Sequence, residues 1–174
     1  IHCGDMSTGI RDLWRDAANR GKGKFFNIDH NAKVRYIETP YDDRISHYNQ
    51  KLNDTYIHFG RDGYAKKENQ AVQDQNALSY SSSYYAERSI SKSKSAYNNS
   101  SWDLVDKAKE DKNYLSKIKE DELPAELQNK SKAEIEALVA EKQAERKKIQ
   151  EEIVELGKKR QEYIDEQMKK DSQG

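Results

Sequence analysis

The chain has 174 residues, of which 34% are hydrophobic and 36% charged, with 31 basic residues balancing 31 acidic ones. Its mean hydropathy is −1.20, so it can bury only a small core and must leave much helix in water. The balanced charge argues against an anionic-membrane sensor and against a dedicated nucleic-acid binder, which carries a basic excess to displace counterions from phosphates.

One cysteine, Cys3, cannot close an internal disulfide, and no apolar run approaches the ~18 residues of a membrane span. Ile1 to Gly4 reads as the end of a buried strand. Asp5, Ser7 and Thr8 supply N-cap chemistry after it. Ile10, Leu13, Trp14, Ala17 and Ala18 recur at helical spacing, so a helix is expected from about Gly9 to Arg20, stopped by Gly21. Lys24 to Ile28 forms a second strand around Phe25 and Phe26. Strand, helix and strand with such short joints make a βαβ unit, with parallel strands and a right-handed crossover. Two parallel strands need neighbours, so the rest of the sheet is expected upstream of Ile1.

Val34 to Ile37 reads as a short extended segment. Thr39 as N-cap and Pro40 at the first position open a helix. Ile45, Tyr48, Leu52, Tyr56 and Phe59 form its apolar face, and Gly60 and Gly63 break it. One further helix is expected from about Tyr64 to near Ile90, although Ser79 to Tyr85 is helix-neutral at best. Asn98 to Ser101 is a loop capping a helix that starts at Trp102 and carries Leu104, Val105 and Ala108. Leu123-Pro124 breaks the chain again. Ser131 and Glu134 form a capping box that opens a helix to about Lys170, roughly 60 Å long. Its stripe is Ile135, Leu138, Val139, Ile149, Ile153, Leu156, Tyr163 and Ile164, interrupted by Lys142, Arg146 and Arg160. That stripe fits one packed face of a wet helix, or the seam of a weak coiled coil and hence a homo-oligomer.

Few residues point to chemistry. His2 and Cys3 are neighbours in a strand and face opposite ways, so they do not share a metal. Cys3 is expected as a small buried hydrophobe. His30, His47 and His58 have no zinc spacing and are expected at the surface or at helix ends. Tyr48, Tyr56 and Tyr85 are expected to pack, and Trp14 and Trp102 to anchor cores. Asp5, Ser7 and Thr8 lie where open α/β sheets bind ligands. Helix capping is the competing reading, favoured about four to one by N-cap preference. No catalytic, cofactor-binding or metal-ligating set can be assigned.

The words Ile1-His2-Cys3-Gly4-Asp5, Gly9-Ile10, Trp14, Ala17-Ala18 and Gly21 through Ile28 resemble the last strand–helix–strand of a von Willebrand factor A domain. Thr39-Pro40-Tyr41-Asp42, Leu52 to Ile57, Gln73 to Ala77, Glu87-Arg88 and Trp102 to Asp106 resemble a helical region found in bacterial proteins that contain such a domain. The resemblance implies an α/β edge over 1–31, a helical region over 32–128 and a long charged helix over 129–174. It implies a non-catalytic protein-binding or assembly role with a partner protein, and it leans towards an extracytoplasmic location; the expectation of no nucleic acid and no membrane span comes from the charge balance and the apolar runs. Two other classes are a structural spacer or oligomerising helix on a metal-free domain, and an enzyme-associated subunit similar to metal-chelatase or secretion components. The family holds Mg²⁺ or a similar ion on an Asp-x-Ser-x-Ser loop with a Thr and an Asp from other loops. Those elements would precede Ile1. Asp5-Met6-Ser7-Thr8-Gly9 has Gly9 where the last serine belongs and sits at the wrong strand. It supplies no ligand, and Asp5, Ser7 and Thr8 stand at most on the rim of such a site.

Overall fold

The computed structural model describes residues 1–29 and 36–171. It divides into two compact units, 1–36 and 37–174. The chain is mostly helical, with a two-stranded parallel sheet near the N-terminus and a long C-terminal helix.

In the first unit, β1 (His2–Cys3) pairs in parallel with β2 (Asn27–Ile28), His2 opposite Asn27 and Cys3 opposite Ile28. His2 N donates to Phe26 O at 2.9 Å and Gly4 N to Ile28 O at 2.8 Å. Both strands are shorter than expected, but their adjacency and direction follow the βαβ pattern. The crossover is not one helix from Gly9 to Arg20. It is α1 (Met6–Arg11) and α2 (Trp14–Arg20), separated at Leu13, whose φ is 63°. A left-handed Leu is sterically costly, and it resets the helical phase on which the expected apolar face depended. Leu13 is therefore exposed, and Trp14 is 51% exposed rather than a core anchor. Cys3 is also exposed, contrary to expectation, as are Phe26 and Ile28. Alternating strand residues face opposite sides, and two strands with two short helices cover one side at most. Gly9 lies against the His2 ring: a Cβ there would be 2.7 Å from His2 Nδ1, so the ring, which bonds Asn27 Oδ1 at 2.7 Å, would have to shift.

The second unit begins with α3 (Asp42–Asn53). This helix starts two residues later than expected, with Tyr41 rather than Thr39 at the N-cap and Pro40 in the preceding turn; the Asp42 carboxylate instead reaches back to accept from Thr39 N at 3.1 Å and Thr39 Oγ1 at 2.7 Å. The helix ends well before Gly60, and Tyr56 and Phe59 enter the core from the segment beyond it. The single helix expected to Ile90 is two, α4 (Gly63–Tyr80) and α5 (Ser82–Lys92). They part at Ser81, which is extended and whose Oγ accepts from Tyr84 N at 2.9 Å. The break falls inside the stretch of weakest helix propensity, where a serine gains more by capping than by continuing the helix. Next comes α6 (Leu104–Glu110), N-capped by Asp103. The short α7 (Tyr114–Lys117) and α8 (Ala125–Gln128) flank a 3-10 turn over Glu120–Glu122. Last is α9 (Lys132–Asp171), 40 residues long. Its capping box forms as expected: Ser131 N donates to Glu134 Oε2 at 2.8 Å, and Glu134 N to Ser131 Oγ at 3.3 Å.

α9 lies along its unit, packed on α3, α5, α6 and α7. Ile149, Ile153 and Leu156 join Ile45, Leu52, Tyr56, Ala86 and Trp102 in one apolar cluster. Ile135 and Val139 join Phe59, Leu104, Val105, Leu123 and Leu127 in another. Most of the stripe considered as a homo-oligomer seam thus packs inside its own chain. Across 128/129, α9 also completes the cores of the helices before it. Trp102 is 6% exposed, with its ring centroid 5.6 Å from that of Tyr56. Tyr56 and Tyr85 are buried as expected, and Tyr48 is half-buried. His47 is exposed and His58 half-buried. His30, Val34 and Arg35 lie outside the described residues, and Tyr36–Ile37 is irregular.

Candidate functional site

The strongest polar chemistry lies beneath α9. Arg146 shares the phase of the apolar stripe, four turns before Arg160, and is only 4% exposed. Its Nε donates to Thr55 Oγ1 at 2.9 Å. Nη1 donates to Asp103 Oδ2 at 2.6 Å and Asp106 Oδ1 at 2.8 Å. Nη2 donates to the Thr55 carbonyl at 2.7 Å and Asp103 Oδ1 at 3.3 Å. The guanidinium also stacks 4.2 Å from the Tyr56 ring centroid. A guanidinium has five N–H donors, and all are used, so none is left for a ligand anion. Burial works against its charge, but Asp103 and then Asp106 overcome it and raise the pKa above the ordinary arginine value. Burial pushes the Asp103 carboxyl up, against the Arg146 hydrogen bonds that draw it down. Asp103 also accepts from Ile57 N at 2.9 Å and caps α6 through Asp106 N at 2.9 Å. One carboxylate therefore joins the segment after α3, the start of α6 and the middle of α9.

Arg160, 2% exposed, repeats the device further along. Its Nε donates to Asp42 Oδ1 at 2.8 Å, Nη2 to Ser83 Oγ at 2.7 Å, and Nη1 to Glu87. It ties α9 to the starts of α3 and α5. A third cluster lies between α3, α4 and α5. Asp74 Oδ2 accepts from Lys92 Nζ at 2.6 Å, Asn53 Nδ2 at 2.8 Å and Asn49 Nδ2 at 3.0 Å, while Oδ1 accepts from Arg88 Nε at 2.7 Å. Burial lowers the Lys92 ammonium to about 8, although Asp74 pulls it back up. Burial raises Asp74, but Lys92 and the asparagines outweigh it and hold its pKa below the usual carboxylate value. These charges are closed on one another. Their chemistry is to fix three helices and α9 in one register.

An open pocket of about 700 Å³ lies between the 93–98 loop, α6 and α9. Arg146 and Asp106 reach it but are committed: Asp106 Oδ1 accepts from Arg146, and Oδ2 from Asn99 N at 2.9 Å. Tyr97, Val105, Ala140 and Ala144 give it apolar surface, and Lys94, Lys109 and Lys147 bring ammonium groups. Such a wall offers charge and hydrogen-bonding groups beside an apolar surface. It holds no uncommitted acid–base pair.

The rim residues proposed from the sequence do come together. Asp5 N-caps α1, accepting from Thr8 N at 2.9 Å and from the Ser7 hydroxyl. Those two bonds hold its carboxyl below the usual range. Among the described residues no group of three or more His, Cys, Asp or Glu could hold a metal. A divalent hard cation takes six or more oxygens, and here one carboxylate is already occupied in capping, so these residues do not fit the family's ion. Sequence reasoning missed Arg146, Arg160 and their partners Asp103 and Asp42. The signal was present: both arginines keep the phase of the apolar stripe instead of falling on the wet face.

The chain matches no protein-family model, no curated protein and no solved structure. Among the described residues no helix is long and apolar enough to cross a membrane.

Proposed function

We propose that this chain is the C-terminal part of a non-catalytic binding or assembly protein of the von Willebrand factor A type. In this reading 1–29 is the edge of its α/β sheet, and the helical unit is a partner-binding extension. One observation carries the reading: a parallel strand pair joined by a helical crossover, with Phe26 and Ile28 left exposed. Parallel strands occur almost only in sheets covered on both faces. Strands preceding Ile1, and helices across them, would supply that cover and the family's metal loop. The closed arginine junctions support a binding role for the second unit, because they hold its surface in one shape. A helical spacer or coiled coil has less support, since most of the α9 stripe already packs in its own chain.

The test is to read the coding sequence before Ile1 and produce the longer protein it encodes. The expected result is an α/β sequence with an Asp-x-Ser-x-Ser loop. Hydrogen exchange at the Gly4 and Ile28 amides should slow markedly in the longer protein. An upstream sequence without alternating strands and helices, or unchanged exchange at these amides, would sink the assignment.

A further inference from the structure

We infer that the pocket between the 93–98 loop, α6 and α9 is a docking groove for a short acidic peptide segment of a partner protein. The inference rests on the binding reading above and names the chemistry of what is bound.

The groove exists because α9 carries Ala140 and Ala144 one turn apart, where longer side chains would fill it. Both are exposed. From Ala140 to Gln150 the helix rises roughly 15 Å, which matches about four or five residues of extended chain. The cavity of about 700 Å³ lies within the range of ordinary ligand sites. The floor is apolar, made by Tyr97, Val105 and the two alanines.

Charge sets the occupant. The walls carry four cationic side chains and two anionic ones, in a chain whose basic and acidic residues are equal in number. Asp106 is engaged by Arg146 and the Asn99 amide, and Glu110 has only a distant partner, Lys107 at 3.8 Å. Of the cations, Arg146 is saturated, and Lys147 has only a distant partner, Glu151 at 3.9 Å. Lys94 and Lys109 have no ion pair among the described residues. The groove thus presents unspent positive charge around an apolar floor, with the amides of Gln143 and Gln150 beside it. Carboxylates alternating with small apolar side chains complement that surface. A nucleic-acid strand fits less well, because the neutral chain lacks the surrounding basic field that gathers a polyphosphate.

The experiment uses the full chain and a fluorescein-labelled hexapeptide of alternating Glu and Val, followed by anisotropy. Two comparison probes are the Lys–Val hexapeptide and a labelled oligo-dT. The acidic peptide should bind, weaken with added salt, and lose about tenfold in affinity with Lys109→Glu, as when a contacting charge is reversed. Ala144→Phe should abolish binding by filling the floor while leaving the circular dichroism spectrum unchanged. No binding at millimolar peptide, equal binding of the Lys–Val peptide, or indifference to both substitutions would overturn the groove. Tighter binding of oligo-dT would also overturn it, in favour of a phosphate ligand. Failure here leaves the family assignment standing, because that depends on the upstream sequence and the strand amides.

Discussion

Arg146 Nη1 lies 2.6 Å from Asp103 Oδ2, joining two buried side chains 43 positions apart. The pair works because every other proton of the guanidinium and every other demand of the carboxylate is met by Thr55, Asp106, Ile57 and Tyr56. Removing one member leaves an uncompensated charge in the core. Asp103→Ala should therefore cost about 3–5 kcal/mol in urea unfolding. Arg146→Lys should lose much of the same, because an ammonium cannot span Thr55 and two carboxylates as a planar fork does. A Lys variant as stable as the parent would show that charge alone, without geometry, suffices there.

The two tryptophans should behave oppositely. Trp102 sits against Tyr56 in the larger core, and Trp102→Ala should destabilise the second unit by about 3–5 kcal/mol. Trp14 is 51% exposed, and Trp14→Ala should stay within about 0.5 kcal/mol, as surface changes do. Fluorescence checks this independently. The Trp14→Phe protein should emit at shorter wavelength than the Trp102→Phe protein, and the reverse order would exchange their environments.

The Asp74–Lys92 pair predicts a two-sided pH dependence. Asp74 is held below its ordinary 3.8, so its stabilisation is present above that value and is lost as pH falls through the lower folded value. Asp74→Asn should be less stable at pH 7 and flatter in acid. Lys92 titrates at about 8 in the folded protein, against 10.5 ordinarily. The unfolded chain then binds more protons between those values, so this group makes stability rise with pH across that window. Lys92→Met should remove the rise. Denaturation midpoints from pH 2 to 10.5 test both halves.

Gly157 sits where α9 crosses α5, and a Cβ there would lie 3.2 Å from Ile90 Cγ1. Alanine gains about 1 kcal/mol of helix propensity over glycine, set against this crowding. Gly157→Ala should therefore be near neutral, whereas Gly157→Leu should cost about 1–3 kcal/mol through overpacking. Ile90→Ala, which removes Cγ1, Cγ2 and Cδ1, should relieve the crowding, so that Gly157→Ala is more favourable in that background. Thermal unfolding of the four proteins measures the coupling.

Much of the local structure was legible because it depends on near neighbours. The Ser131–Glu134 capping box, the break at Leu123-Pro124 and the parallel strand pair all follow from residues a few positions apart or from one short crossover. Ser81 shows the limit: weak propensity over Ser79 to Tyr85 was visible, but two helices meeting there were not, since the choice depends on what α4 and α5 pack against.

The sequence by itself determined a small core, a long charged helix with one apolar stripe, and a βαβ start. Tertiary structure alone decided the fate of the charges. Arg146 and Arg160 read as interruptions of the stripe because an isolated charge is costly to bury. Their partners Asp103 and Asp42 lie 43 and 118 residues away. Only when α9 lies across α3 and α6 do those carboxylates converge on the stripe and turn two apparent faults into its anchors. Trp14 and Cys3 went the other way. Their apolar character was legible, but burial needs a surface to cover them, and the two short strands of the first unit provide too little.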